Sequence, residues 1–270
     1  MTLRSLTFAI VALSLAAAAS AAELTRDDLK KALDANPGLI LDVLRQNKKD
    51  FFEIVQQAAQ EEQTRRQKEQ QEAQAKEMED HIKNPLKPAV TKKTRIRGNE
   101  KAKYTLVEYS DFQCPYCGPK TPNGAPGGYK IAEALREKYG KDLRFIFKNK
   151  PLPFHPKAGP AAQWLEAATL QNVEKAWAFH DKLFLNQDKL GDEFFEATAK
   201  DLGLDVEKIK IDLQSQAVKD SIDADIKEAE SLGFDGTPGF LINGVPVRGA
   251  YPAEHFDEII KQIDEAAKKH

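Results

Sequence analysis

The sequence predicts an α/β domain in which a long helical insertion divides a small sheet, and three observations indicate this order. A segment rich in β-forming residues, 104–109, runs directly into a pair of cysteines. A second such segment, 143–147, follows it, and residues from about 156 to 232 then read as almost entirely helical. A hairpin pattern returns at 239–247, where an Asn-Gly dipeptide supplies a typical turn.

The composition excludes one class of partner. The 270 residues include 40 Lys or Arg and 42 Asp or Glu, so the formal net charge at neutral pH is −2. A chain so evenly charged has no basic footprint for nucleic acid and no polybasic patch for an anionic membrane surface. We therefore expect proteins, and no nucleic acid, as partners.

The first 22 residues have the three parts of a signal peptide. Arg4 provides positive charge, an apolar run covers about 6–19, and the small residues 19–22 offer a cleavage site. The run is short for a transmembrane helix, and an uncleaved anchor is the alternative. We therefore expect an exported, periplasmic protein from which residues 1–22 are removed.

Residues 23–59 have the pattern of short amphipathic helices. Thr25 is placed to cap the first helix, Asn36-Pro37-Gly38 breaks it, and apolar residues recur at helical spacing on one face of each segment. Helices this short are not stable alone. We expect this region to form a homo-oligomer, a dimer or a trimer; packing against the chain's own main domain is the alternative.

The next region, residues 60–95, is dense in charge and in glutamine. Pairs such as Glu62 with Arg66 support a helix, but no continuous apolar seam runs along it. We interpret it as a solvated helical tether that ends at the prolines near 84–96. The main domain then comprises residues 96–270.

The chain has two cysteines, Cys114 and Cys117, separated by Pro115 and Tyr116. A disulfide across so short a loop adds little stability through chain entropy, so a purely structural role is disfavoured. Zinc would need about four ligands, and the sequence has no second cysteine pair. A CxxCH haem site is excluded because Gly118 stands where the histidine would be. Export and spacing favour redox chemistry, with Cys114 at a helix N-terminus that can lower its pKa.

Several motifs together resemble the DsbA-like thioredoxin-fold family. They are the segment from Gly98 to Cys117, the sequence Gly236-Thr237-Pro238-Gly239-Phe240 with the residues after it, and the stretches 151–156 and 176–184. The resemblance covers about residues 95–270 and implies a thioredoxin-like α/β fold with an inserted helical subdomain at about 156–232. The helical extension before it more loosely resembles that of ScsC-like members, which oligomerise through it.

The resemblance also implies roles for single residues. Cys114 would exchange disulfides with a client, Cys117 would resolve the mixed disulfide, and Glu108 would be a buried acid that moves the proton. A cis peptide bond is implied before the loop proline. The residues expected to position the substrate are Thr237, Pro238, Pro115 and Tyr116. The resemblance implies no cofactor and no metal.

One segment departs from the family pattern. Residues 118–128 contain three prolines and four glycines in eleven positions, where the family continues the cysteine pair into an unbroken helix. We expect one short turn at 114–118, a loop, and a helix that resumes near Tyr129. The loop should then weaken the contribution of the helix dipole to the acidity of Cys114.

We interpret the chain as an exported thiol–disulfide oxidoreductase that acts on exported proteins with cysteines. The Pro-Tyr pair between the cysteines and Thr237 before the proline resemble isomerase or reductase members of the family more than its strongest oxidases. The resemblance therefore implies a disulfide isomerase or reductase, served by a membrane redox partner. A DsbA-type oxidase is the alternative in the same class. From other classes, a copper-protective thiol-binding protein and a chaperone that does not need its thiols remain open.

Overall fold

The computed structural model describes residues 25–91 and 94–268. They fall into two compact units, one that ends at Glu69 and one that begins at Gln70. The predicted signal peptide, residues 1–22, lies outside the described residues. In the described parts of the chain, no helix combines the length and the apolar content needed to span a membrane.

Three helices form the N-terminal region: α1 (Arg26–Ala35), α2 (Gly38–Gln46) and α3 (Lys48–Lys83). Thr25 caps α1 as predicted. Its hydroxyl oxygen accepts a hydrogen bond from the Asp28 N–H at 3.2 Å, and the Asp28 carboxylate accepts one from the Thr25 N–H at 3.2 Å. The predicted break between α1 and α2 is also confirmed, at a proline that has no N–H to continue α1.

Helix α3 differs from the prediction of a short helix followed by a separate tether. It runs through both regions without a break, and ion pairs such as Glu62–Arg66 at 2.7 Å support its charged part. From Gln70 onward it belongs to the second unit, because Met78 and Ile82 pack against the core of that unit. The boundary between the units therefore lies inside α3 rather than near residues 84–96. Two apolar side chains one turn apart join the charge-rich C-terminal part of α3 to this core.

The second unit is built on a five-stranded mixed sheet. Its strands are β1 (Ile96–Arg97), β2 (Tyr104–Ser110), β3 (Leu143–Asn149), β4 (Gly239–Ile242) and β5 (Val245–Arg248). Their order is β1-β3-β2-β4-β5; β2 and β3 are parallel, and the other neighbouring pairs are antiparallel. β2 to β5 confirm the predicted strands, whereas the two-residue β1 has no predicted counterpart.

Seven helices accompany the sheet, and five of them form the predicted insertion between β3 and β4. The insertion has breaks at Asn172, Gly191 and Gly203, as predicted. The helices are α4 (Gly128–Tyr139), α5 (Ala158–Gln171), α6 (Val173–Leu185), α7 (Asp192–Asp201), α8 (Val206–Asp212), α9 (Gln216–Ser231) and α10 (Ala253–Ala267). The predicted thioredoxin-like fold with a helical insertion is therefore confirmed.

Alternate residues of β2 face two different cores. Val107 and Tyr109 belong to a small core with Phe234, whereas Leu106 belongs to the large core that contains both cysteines. Glu108 follows Leu106 by two residues, so the alternation of the strand turns its carboxyl group toward the large core. This placement explains how a charged residue type comes to be fully buried in the central strand.

Candidate active site

The cysteine pair lies just beyond the end of β2. The backbone carbonyl and the carboxylate of Asp111 each accept a hydrogen bond from the Cys114 N–H, both at 3.1 Å. Residues 114–117 then form a single turn, closed by a hydrogen bond from the Cys117 N–H to the Cys114 carbonyl oxygen at 3.1 Å. Both cysteines are free thiols; Cys117 is fully buried and Cys114 is 4% exposed. Of the two sulfur atoms, that of Cys114 is therefore the one that an incoming disulfide can reach first.

The predicted interruption after Cys117 is confirmed. The chain leaves the turn, makes a loop over 118–127, and enters α4 at Gly128. The first amides of α4 donate hydrogen bonds back across the loop, from Gly128 to the Tyr116 carbonyl oxygen at 2.9 Å and from Tyr129 to the Cys117 carbonyl oxygen at 2.8 Å. The cysteine turn thus stays hydrogen-bonded to the helix although the chain between them is not helical. These two hydrogen bonds hold the cysteine turn against the start of α4, although the sequence predicts that the loop separates them.

Cys114 is an acidic thiol. A hydrogen bond from the Cys117 thiol is the largest cause, the Thr237 side chain is the next group that lowers the pKa, and the Tyr116 N–H adds to both; together they lower the pKa of Cys114 from an ordinary 9.0 to about 6. Burial and the negative charge of Asp111 oppose this shift without cancelling it. At neutral pH most of Cys114 is therefore thiolate, which is the form that attacks a disulfide.

The two buried groups next to Cys114, Cys117 and Glu108, have pKa values that are raised rather than lowered. Burial raises the pKa of the Cys117 thiol well above its ordinary value, so this thiol stays protonated. Burial also raises the pKa of Glu108 to about 8, and negative charge on Cys114 adds to the shift. Within the described residues, neither carboxyl oxygen of Glu108 has a hydrogen-bond partner. Nowhere in those residues do three or more His, Cys, Asp or Glu side chains gather as a metal site.

A glycine makes room for the buried acid, and sequence analysis missed it. A Cβ atom at Gly128 would lie 2.5 Å from the Oε1 atom of Glu108 and 3.3 Å from the Cys117 carbonyl oxygen. A side chain at this position would therefore push the start of α4 away from the acid. In the sequence, Gly128 reads only as part of a helix-breaking segment, whereas in the structure it is the first residue of α4.

A small cavity adjoins Glu108. Its volume is about 10 Å³, which is about the space that one water molecule needs. Its lining includes the Tyr129 and His180 side chains and the partly buried Arg97 and Arg136. The cavity therefore places the buried Glu108 carboxyl group next to two partly buried arginines.

The loop before β4 completes the site. The peptide bond between Thr237 and Pro238 is cis, as predicted. The Cys114 sulfur lies 3.4 Å from the Thr237 carbonyl oxygen, to which it donates a hydrogen bond when it is protonated. Pro115 and Tyr116 are exposed next to the cysteines. The structure thus brings together all of the residues predicted for the site, namely Glu108, Cys114, Cys117, Thr237 and Pro238, with Pro115 and Tyr116 at the rim.

Two further side chains hold the cysteine turn, and sequence analysis missed both. The buried Asp111 carboxylate accepts a hydrogen bond from the Leu152 N–H at 2.8 Å and lies 2.8 Å from the ring nitrogen Nδ1 of His155. The side-chain amide of Gln187, from the helical insertion, donates to two backbone carbonyl oxygens, of which one is that of Cys114 at 2.9 Å. Both contacts join segments far apart in the chain, so no local pattern could show them.

We expect Cys114 to titrate near pH 6 while Cys117 stays protonated well above that pH. The ultraviolet absorbance of the reduced protein, followed against pH, should show one thiolate with a midpoint of about 6. The Cys117→Ala variant removes the main hydrogen-bond donor, so its midpoint should move back toward the ordinary value. Cys114→Ser, as the control, should show no transition in this range. A wild-type midpoint near 9.0 would contradict the hydrogen-bonded arrangement.

A cysteine turn above a buried acid, a cis-proline loop beside it and an inserted helical subdomain define a DsbA-like thioredoxin fold. The family model described as thioredoxin matches residues 90–262, and the chain belongs to that family. In fold it is similar to a thioredoxin-like oxidoreductase of Silicibacter pomeroyi DSS-3, with 24% identity, a TM-score of 0.57, and coverage of 65% of this chain and 94% of that one. It is also similar to Proteus mirabilis ScsC in a transitional conformation, with 24% identity, a TM-score of 0.52, and coverage of 90% and 97%.

A curated relative has a higher sequence identity to this chain over the part that aligns. The Na(+)/H(+) antiporter NhaA of Herminiimonas arsenicoxydans is 36% identical over 180 residues, which are 67% of this chain and 27% of the antiporter. The chain therefore spans about a quarter of the length of the curated relatives it matches.

Proposed function

We propose that this chain is a thiol–disulfide oxidoreductase that exchanges disulfides with cysteine-containing proteins through Cys114 and Cys117. The observation that carries the proposal is a single turn that joins an acidic thiol to a buried, protonated one. Membership in the thioredoxin family and the likeness in fold to an oxidoreductase support it.

The exchange begins at the Cys114 sulfur. The thiolate attacks one sulfur of a client disulfide, a bond forms between the two sulfurs, and the second client sulfur leaves as a thiolate with the electron pair of the broken bond. In isomerisation, that client thiolate or another one attacks the mixed disulfide and frees Cys114 again. In reduction, Cys117 attacks the Cys114 sulfur, which releases the client as a thiol and leaves a Cys114–Cys117 disulfide.

Glu108 would handle the proton of Cys117. This thiol must lose its proton before it can attack, and burial strongly opposes a free thiolate. Once Cys114 is bound in a mixed disulfide its negative charge is gone, so one cause of the raised pKa of Glu108 disappears. The carboxylate can then accept the Cys117 proton as the new sulfur–sulfur bond forms.

Thr237 and Pro238 would position the client. The Thr237 carbonyl oxygen already contacts the reacting sulfur, so a client segment beside this loop brings its disulfide to Cys114. Tyr116, which is 48% exposed, and Pro115 border the same approach. These four residues would act by shape and by backbone contact rather than by proton transfer.

The N-terminal helices support self-association. None of their residues is buried in the described chain, although many are large and apolar. Those between 46% and 65% exposed are Leu29, Leu39, Ile40, Leu41, Val43, Phe51, Phe52, Ile54 and Val55. An apolar surface of this kind on an exported protein favours association with further copies as a dimer or trimer. Several active sites around one client suit isomerisation.

The proposed setting is the periplasm. The pattern of residues 1–22 supports export, and an oxidising compartment provides client proteins with disulfides. A reductase or isomerase would need a membrane partner that reduces the Cys114–Cys117 disulfide. A DsbA-type oxidase, which gives its disulfide to reduced clients, uses the same residues and is the alternative direction.

Refolding of scrambled ribonuclease tests both the direction and the role of the oligomer. We expect the wild-type protein to recover ribonuclease activity and to sediment as an oligomer. Ile40→Glu with Phe52→Glu should give a monomer that unscrambles poorly but still reacts with a small disulfide. Gln46→Glu with Gln56→Glu adds the same charge at polar, exposed positions of the same helices and should behave as wild type.

Two results would contradict parts of the proposal. Rapid oxidation of reduced ribonuclease without any unscrambling would make the protein an oxidase. Unscrambling that persists in an Ile40→Glu, Phe52→Glu monomer would show that isomerisation does not need the oligomer.

A further inference from the structure

The loop between the cysteine turn and α4, residues 118–127, holds its own shape. The Thr121 N–H donates a hydrogen bond to the Ala125 carbonyl oxygen at 2.8 Å, and the Gly124 N–H donates one to the Thr121 carbonyl oxygen at 2.9 Å. The Asn123 side-chain oxygen accepts from the Thr121 hydroxyl and from the Ala125 N–H. The loop therefore satisfies many of its polar groups internally and presents a fixed surface.

This surface forms part of a cavity of about 300 Å³ beside the reacting sulfur. The loop, the cysteine turn and the cis-proline loop all contribute to it. The residues that line it from these three segments are Thr121, Asn123, Ala125, Tyr116, Thr237 and Pro238. Because the Thr237 carbonyl oxygen contacts the Cys114 sulfur at 3.4 Å, a group in the cavity lies next to the site of exchange.

The lining of the cavity is uncharged throughout, including Gly249 and Ala250, which complete it. A charged side chain that entered would lose water and find no opposite charge, which is unfavourable. An aromatic or branched aliphatic side chain would instead gain apolar contact with groups such as Tyr116, Pro238 and Ala125. The uncharged, partly apolar lining of the cavity therefore favours an uncharged side chain.

We propose that residues 118–127 are a specificity element, and that the cavity they form receives an aromatic or branched aliphatic side chain next to the client's reacting cysteine. The inference rests on the proposed function, since it concerns the client whose disulfide Cys114 attacks. The occupant is a segment of the client itself, because Thr237 borders both the cavity and the reacting sulfur.

The test uses short peptides whose single cysteine is disulfide-bonded to a small chromogenic thiol. Cys114 attacks the peptide sulfur, a bond forms between them, and the chromogenic thiolate leaves with the electrons of the broken bond. Three peptides carry Phe, Lys or Glu on both sides of the cysteine. With the full-length protein we expect the Phe peptide to react about 10-fold faster or more than either charged peptide.

Variants of the loop identify the element responsible. Ala125→Asp places a negative charge in the cavity, so it should slow the Phe peptide and make the Lys peptide the preferred one. Ala125→Trp fills the cavity and should remove the preference for Phe without favouring Lys. Lys120→Gln changes the net charge as Ala125→Asp does, on the same loop but outside the lining, and should keep the wild-type order.

The outcomes separate this inference from the proposed function. Failure of the wild-type protein to react with any of the peptides would overturn the proposed function. Reaction at equal rates with all three peptides, or an unchanged order in both Ala125 variants, would overturn the role of residues 118–127 and leave disulfide exchange intact.

Discussion

Cys114→Ser is expected to abolish disulfide exchange, whereas Cys117→Ser is expected to accumulate mixed disulfides with clients. Cys114 is the acidic thiol and lies in contact with the cis-proline loop, so its loss removes the attacking sulfur. Cys117 is fully buried and protonated, so it does not start the exchange. Without it the bond between Cys114 and the client has no internal attacker to resolve it.

The two variants are compared under acid quench with non-reducing gels and mass spectrometry. Cys114→Ser should show no client adduct, and Cys117→Ser should show one adduct per chain that a small reducing thiol releases. Cys114→Ser with Cys117→Ser is the matched control for non-covalent binding. Adducts on Cys117 of the Cys114→Ser variant would mean that the roles of the two thiols are reversed.

Glu108→Gln is expected to slow the closure of the Cys114–Cys117 disulfide and to stabilise the folded protein at alkaline pH. The amide group of glutamine has the same size as the carboxyl group it replaces, but it cannot accept the proton of Cys117. General acid–base catalysis typically contributes ~10² to 10⁴ in rate, so closure should slow by at least ~10²-fold near neutral pH. The reduced protein is mixed rapidly with a client disulfide and quenched with acid at intervals. The rate at which the Cys114–Cys117 disulfide appears measures this step.

The effect on stability follows from the pKa of Glu108. The folded value is about 8, above the ordinary 4.5, so the folded state holds a proton that the unfolded state has already lost between these two pH values. The contribution of Glu108 to stability is therefore fully present below 4.5 and is lost as pH rises through about 8, at roughly 1.4 kcal/mol per pH unit. The difference in the free energy of unfolding between Glu108→Gln and the wild type should therefore increase in favour of the variant by a few kcal/mol as pH rises across this window.

Tryptophan fluorescence during urea unfolding measures this difference. Both tryptophans of the chain, Trp164 and Trp177, lie in the helical insertion, so the signal reports on the unit that contains the site. Glu137→Gln, an exposed position on α4, is the matched control and should track the wild type at every pH. A difference between Glu108→Gln and wild type that does not change with pH would show that the carboxyl group is not held neutral by burial.

The parts of the fold that the sequence predicts well are those with local signals. The Thr25 cap, the break before α2 and the Asn-Gly turn between β4 and β5 depend on residues within a few positions of one another. Strand β1 has only two residues and is stabilised by antiparallel pairing with β3, so its own sequence carries almost no signal. The attachment of α3 through Met78 is likewise a tertiary contact, and it lies in a charge-rich part of that helix.

The same distinction applies to the candidate site. The family resemblance implied that Glu108, Cys114 and the cis-proline loop lie together, and the structure places the other two beside Cys114. Gln187 was missed because the backbone groups that it satisfies lie far from it in the chain. Asp111 was missed although it also accepts a hydrogen bond from Cys114 three residues on, a local signal that was open to sequence analysis. The acidity of Cys114 could not be judged from the broken helix, because the groups that lower its pKa are the Cys117 thiol, Thr237 and the Tyr116 N–H rather than the helix that follows.

The hydrogen bonds from Gly128 and Tyr129 across residues 118–127 have a consequence for how proteins of this kind can diversify. Because these hydrogen bonds join the cysteine turn directly to α4, changes in the middle of the intervening segment need not move the sulfur atoms or the acid. Residues 118–127 are therefore a surface segment beside the redox centre that substitutions can alter separately from the reacting groups. New client ranges could arise there by exchange of one short surface piece, with the chemistry inherited unchanged.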